Sequence, residues 1–270
     1  MSSCESSLES SEKNTEPVDK KGVSIHKAYI VRHSERIDEV DYKLWERIVK
    51  ATDTARNKGD MIDDPKLTEN GKQIAEVASN TLTSLLNETL VSHIYSSKLR
   101  RCVETAYCIA LRLGTPILIS KGLSLTAAAV EYRREKFEFL SLDELKEFCP
   151  GVELVDCDDP SSEFFIPSLQ WLDTLNAIIR KEEVSIIVAH RETIRNIAGP
   201  DPSGRRMATP YCCIAEFDCP NTDAAGALQL VQLVGSEGDV IYNNIGRNRS
   251  VNAYLTPPPT PVLSNKGDEK

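Results

Sequence analysis

Long apolar runs are missing from this sequence. Nothing in it approaches the about 18 consecutive apolar residues of a membrane span, so no membrane-crossing helix is expected. Residues 1–21, "MSSCESSLESSEKNTEPVDKK", hold no apolar core of the kind a secretory signal requires. The expectation there is a disordered arm, because so polar a segment cannot bury enough surface to order itself. Histidine is scarce, with four in the chain, and the eight cysteines include no C-x-x-C pair. No zinc site is therefore expected, and the cysteines read as reduced thiols of a cytoplasmic protein. A surplus of positive charge is absent too. The formal net charge is −9, which argues against nucleic acid or an anionic membrane as a partner. Any anion site has to be local.

What is present is enough for one large α/β domain: 270 residues, 40% of them hydrophobic. Ala28–Arg32 and Val184–His190 are short apolar runs rich in β-branched residues, the pattern of strands buried on both faces. "SHIYSS" (92–97), "PILIS" (116–120), "YCCIAEF" (211–217) and "LQLVQLV" (228–234) are further strand candidates. In the third of these, adjacent Cys212 and Cys213 are expected to point to opposite faces. Helical spacing of apolar residues follows Thr68, a plausible N-cap, and recurs over 99–112 and 168–180. Alternation of strands and helices predicts a three-layer α/β/α sandwich with a mainly parallel central sheet. Residues 37–66 and 121–166 read as irregular insertions. The expected division is an arm at 1–25, one domain over 26–254 and a proline-rich polar tail at 255–270.

In such sheets, ligands sit outside the carboxyl ends of the strands. Three predicted strand ends share one character. The first delivers Arg32 and His33, "SHIYSS" leads through Lys98 into Arg100 and Arg101, and "VSIIVAH" ends on His190 followed by Arg191. Guanidinium forks match pairs of phosphate oxygens, and helix amides add donors, so this edge suits a phosphoryl group. Imidazole in that field can attack phosphorus and hold the group covalently.

Four segments carry a more specific resemblance. "VRHSER" is similar to the RHG signature of the histidine phosphatase superfamily. "LTENG", preceded by Asp64-Pro65, resembles the segment that opens its first helix. "SSKLRRCVETA" resembles the segment carrying its second arginine, which falls on Arg101 rather than Arg100, and "IIVAHRETI" the strand ending in its second histidine. "RHSERIDEV" with Trp45, and "LSLDELKEF", are most similar to the branch of the ecdysteroid-phosphate phosphatase and the suppressor-of-T-cell-receptor-signalling phosphatase domains. The resemblance implies that His33 is a nucleophile forming a phosphohistidine. It also implies that Arg32, Arg101 and His190 hold phosphoryl oxygens, that Arg36 adds a ligand, and that no metal or other cofactor is needed.

The chain departs from that pattern at three places. Ser34 and Arg191 replace glycines that follow the two histidines, and Leu125 in "GLSLT" stands where the branch has its glutamate proton donor. Leucine cannot protonate a leaving group, a contribution worth about 10²–10⁴ in rate. Glu131 is the first substitute, Glu192 the second. Two readings stay open at this stage. One is a phosphatase acting on phosphate monoesters through a phosphohistidine, with reduced activity. The other is an inactive module that binds a phosphorylated small molecule or phosphoprotein. A phosphoglycerate-type mutase ranks below both.

Overall fold

In the computed structural model of the chain, the described residues are 25–52, 64–124, 139–167, 170–220 and 228–244. The expected arm (save Ile25), the tail, and both Leu125 and Glu131 lie outside them.

The core is one eight-stranded sheet. In chain order the strands are β1 (Ile25–Arg32), β2 (Ile94–Ser97), β3 (Ile117–Ser120), β4 (Leu154–Asp156), β5 (Val184–Ala189), β6 (Ile214–Pro220), β7 (Gln229–Val234) and β8 (Val240–Asn243). Their spatial order is β4-β3-β2-β5-β1-β6-β7-β8. The first five in that order are parallel, and β6, β7 and β8 continue the sheet antiparallel. The parallel strands are the β-branched apolar runs, as burial on both faces requires. In β1, Ala28 and Ile30 pack into one core while Tyr29 and Val31 pack into the other.

Helices cover both faces. They are α1 (Ile37–Val40), α2 (Tyr42–Thr52), α3 (Glu69–Leu86), α4 (Arg100–Leu113), α5 (Leu142–Phe148), α6 (Trp171–Lys181) and α7 (Arg191–Ala198). Leu82 of α3, Val103 of α4 and Leu145 of α5 share the core on one face. Leu175 of α6 and Ile194 of α7 share the core on the other. The three-layer α/β/α architecture with its mainly parallel sheet is thus the one expected.

Two local expectations need correction. Residues 37–66 and 121–166 are not simply irregular: they hold α1, α2, α5 and β4. Ser141 starts α5 with a reciprocal cap, its hydroxyl accepting from the Glu144 amide while the Glu144 carboxylate accepts from the Ser141 amide. Trp45 of α2 is fully buried, so this segment is anchored by a large apolar side chain. Second, Cys212 and Cys213 precede β6, and Cys212 has a left-handed φ of 52°. They still diverge: Cys212 packs on Ala75 and Ala78, Cys213 into the core beneath α6 and α7.

Candidate active site at the carboxyl edge of the sheet

Strand β5 lies between β2 and β1, and it is here that the chain changes faces. Helices α3, between β1 and β2, and α4, after β2, pack on one side of the sheet, and α7, after β5, packs on the other. Register puts Arg32 opposite Ala189, and Ser96 opposite Val188. The residues just past these positions, His33, His190 and Ser97, therefore emerge together at a topological switch point.

Arg32, His33, Arg101 and His190 are all buried there, between 4% and 8% exposed. The His33 and His190 rings lie 5.5 Å apart, edge to face. His33 Nδ1 donates to the Ser34 carbonyl oxygen at 2.8 Å. Because a carbonyl can only accept, the proton sits on Nδ1 and the Nε2 lone pair is left bare. Burial first, then Arg101, His190 and Arg32, push the His33 pKa well below the ordinary histidine value. Burial with Arg101, Arg36 and Arg32 does the same to His190. Both rings are neutral near pH 7. His190 Nε2 lies 3.1 Å from Ser97 Oγ, whose hydroxyl donates to Ser124 Oγ. That makes the Ser97 oxygen the acceptor of the His190 Nε2 proton.

The two adjacent arginines part ways. Arg100 donates through Nε to Glu104 at 2.8 Å and stacks on the Phe148 ring at 3.8 Å, away from the histidines. Arg101 stands within the electrostatic reach of both histidines, and its Nε and Nη1 are buried without a hydrogen-bond acceptor. Its nearest counter-charge is Asp64, 3.5 Å from Nη1. Arg32 donates from Nη1 to the Thr209 carbonyl at 2.7 Å, while its Nε has no acceptor. Buried guanidinium donors left unspent are costly, and an anion between them relieves the cost.

The quoted motifs meet behind this pocket, through Ser34. Its amide donates to Thr105 Oγ1 at 3.0 Å and its hydroxyl to the Gly71 carbonyl at 2.6 Å. The serine that stands where relatives have glycine thus turns its side chain into the protein. Thr68 caps α3 by accepting from the Gly71 amide at 2.7 Å and donates to the Glu35 carboxylate at 2.6 Å. Gly71 is required by crowding: a Cβ there would meet the Glu35 carbonyl oxygen at 2.3 Å.

Other expected participants are placed differently. Arg36 is gripped by Asp38 through two hydrogen bonds of 2.7 Å. Lys98 turns to Asp156 at 2.7 Å. Arg191 and Glu192 pair with each other at 2.8 Å, so Glu192 has a cation of its own.

Sequence reasoning missed four residues. Asp64, 1% exposed, accepts the Arg100 amide with both oxygens at the start of α4. Ser97 holds His190. Tyr211 stacks its ring on the Arg32 guanidinium, 4.0 Å from the ring centre, and lies 6.1 Å from the His33 ring. Its hydroxyl donates to the Glu39 carboxylate, which also lies 3.8 Å from Arg32 Nη2 and 3.6 Å from Arg36 Nε. Asp64-Pro65 and "SHIYSS" were quotable in the sequence. The Glu39–Tyr211 pair, 172 residues apart, left no local signal.

No curated protein matches the chain. Residues 29–127 match the family model of the histidine phosphatase superfamily, branch 1. Among solved structures, the ecdysone phosphate phosphatase of Bombix mori in complex with tungstate is 20% identical, with a TM-score of 0.54 over 71% of this chain and 88% of that one. Mycobacterial hydrolase 1 is 15% identical, TM-score 0.43, over 76% and 96%. The putative phosphohistidine phosphatase SixA from Agrobacterium tumefaciens is 14% identical, TM-score 0.40, over 78% and 97%. The chain is similar to the histidine phosphatase superfamily, branch 1: residues 29–127 carry its sequence pattern, and the described sheet and its helices carry the fold of the ecdysone phosphate phosphatase.

Proposed function

We propose that the chain hydrolyses a phosphate monoester through a phosphohistidine on His33. The observation that carries this reading is the neutral His33 ring, its Nε2 lone pair unspent, beside the unsatisfied donors of Arg101. In the first step, Nε2 forms a bond to phosphorus as the ester P–O bond breaks, and the leaving oxygen keeps the electron pair. Water then attacks phosphorus, the N–P bond breaks with its electrons returning to Nε2, and inorganic phosphate departs while the proton passes to solvent. Arg32 and Arg101 hold the phosphoryl oxygens throughout. His190, whose Nε2 proton is spent on Ser97, joins them when it takes up a second proton on Nδ1, and Arg36 is an added ligand once it yields part of its grip on Asp38. Positioning and charge stabilisation of this kind supply most of the catalysis in phosphoryl transfer. The substrate is a phosphorylated small molecule or phosphoprotein.

Leu125 provides no proton to the leaving group, which therefore departs as an anion; Glu131 is the first candidate for a substitute acid should alkyl esters prove to be cleaved as fast as aryl ones. The second reading rests on that leucine: a module of this fold that binds a phosphorylated ligand without turnover. The experiment is an assay of purified protein against an aryl and an alkyl phosphate, with His33→Ala as control. Turnover of the aryl ester that His33→Ala abolishes supports the enzyme. Binding of phosphate or vanadate with no turnover of either ester supports the module. Failure to bind either anion overturns both.

A further inference from the structure

The buried donors face inward, but the rim above them has its own chemistry. Tyr211 and Glu39 are the partly exposed groups of the pocket wall, with the Glu39 side chain 33% exposed. Burial works against the Glu39 charge, yet the Tyr211 hydrogen bond and the nearby Arg36, Arg32 and Arg191 hold its pKa below the usual carboxylate value. It is therefore a fixed negative charge, oriented by a tyrosine hydroxyl on one side and a guanidinium on the other.

Most of the surrounding charges already have partners, Arg206 lying 3.9 Å from Glu192 as well. Asp38 takes Arg36 in a two-bond fork, and Glu192 takes Arg191. Arg32 faces two anions, Glu39 and whatever phosphoryl group enters. Once a phosphoryl dianion engages Arg32, Glu39 must share that guanidinium with it, keeping Arg36 at 3.6 Å and the Tyr211 hydroxyl. The carboxylate then stands beside the Tyr211 ring, which covers one face of Arg32.

We infer that Glu39 and Tyr211 set the specificity of the site for the group attached to the phosphate, admitting aromatic groups that are neutral or cationic and rejecting anionic ones. This deepens the proposed function and rests on the phosphate-binding reading of the Arg32, His33, Arg101 and His190 pocket. The phosphoryl group occupies the buried end, so its substituent leaves past the hydrogen-bonded Tyr211–Glu39 pair, beside the ring and the carboxylate. A cation there gains an attraction that an anion of the same shape forfeits. For a partly exposed pair a few ångströms apart, the difference is roughly tenfold in affinity.

Binding of non-hydrolysable phenylphosphonates tests this whether or not the protein turns over. Titration calorimetry would compare para-aminomethyl, para-methyl and para-carboxyl phenylphosphonate, with inorganic phosphate measured alongside. The expected order of affinity is aminomethyl, methyl, carboxyl, with roughly tenfold between the extremes. Glu39→Gln should bring the three within about twofold, and Glu39→Lys should invert the order. Thermal melts would establish that the variants fold. Equal affinities in the unaltered protein, or an order that survives Glu39→Gln, would overturn the inference. If neither inorganic phosphate nor any phosphonate binds, the phosphate-site reading itself has failed, a result distinct from binding without discrimination.

Discussion

His33 and His190, 157 residues apart in the chain, present their rings edge to face at 5.5 Å, each nearly sealed from solvent. Burial and the surrounding arginines hold both imidazoles neutral near pH 7. This makes protonation a direct probe of the site.

Each histidine has its folded pKa far below its unfolded value. The unfolded chain takes up these protons near pH 6.5 and the folded chain does not, so stability is full above that pH and falls below it. Asp64 works the other way. Burial raises its pKa from 3.8 to about 6, so the folded chain holds the extra proton and stability is lost as pH rises through that window. One group contributes a slope of about 1.4 kcal/mol per pH unit where its two states differ fully. Relative to the unaltered protein, His190→Gln should therefore flatten the pH dependence of unfolding free energy between pH 6 and 4 by up to about that amount. Asp64→Asn should steepen it. Denaturant titrations at several pH values check both signs.

An anion in the pocket reverses the electrostatics around the rings and raises their pKa. Sulfate, which brings no proton of its own at pH 6, should thus bind with net proton uptake. Calorimetry in two buffers of different ionisation heat measures it. Zero uptake or proton release would mean that the anion does not sit beside the histidines.

Arg101→Ala should weaken inorganic phosphate binding roughly 30-fold or more, the loss expected for removing charge-assisted hydrogen bonds. Arg100→Ala should change it by less than about threefold, since Arg100 spends its guanidinium on Glu104 and Phe148; its effect should instead appear as a lower melting temperature. Titration calorimetry on both variants separates the two roles.

In the proposed reaction Leu125 supplies no acid, so the departing oxygen leaves as an anion, and a phenoxide is far more stable than an alkoxide. Aryl phosphates should be turned over much faster than alkyl phosphates. Leu125→Glu should raise alkyl turnover most, by up to the ~10²–10⁴ of general acid catalysis. Equal rates for both classes in the unaltered protein would place the proton on another residue, Glu131 first.

The strands that build the site were legible because burial on both faces leaves an unbroken β-branched run, and the run in β1 stops at Arg32-His33. The cap at Thr68 was legible because its partner is three residues away. Helix α5 was missed although Ser141 and Glu144 spell its cap; at seven residues it offers little periodicity to see. The β4 strand has three residues and gives less. Asp64 beneath Arg101, Ser97 against His190, and Glu39 on Tyr211 are contacts across the fold. Local patterns do not encode them. They follow from strand order and register, and β5, which comes between β2 and β1, begins only at Val184.

The central claim is that His33 takes the phosphoryl group. Brief reaction with an aryl phosphate, quenching in alkali and peptide mass spectrometry would locate the label. The expected result is a phosphoryl group on His33, stable in alkali, lost in acid, and absent from His33→Ala. Release of phosphate from the ester with His33 unlabelled at every time point, or undiminished in His33→Ala, would contradict it.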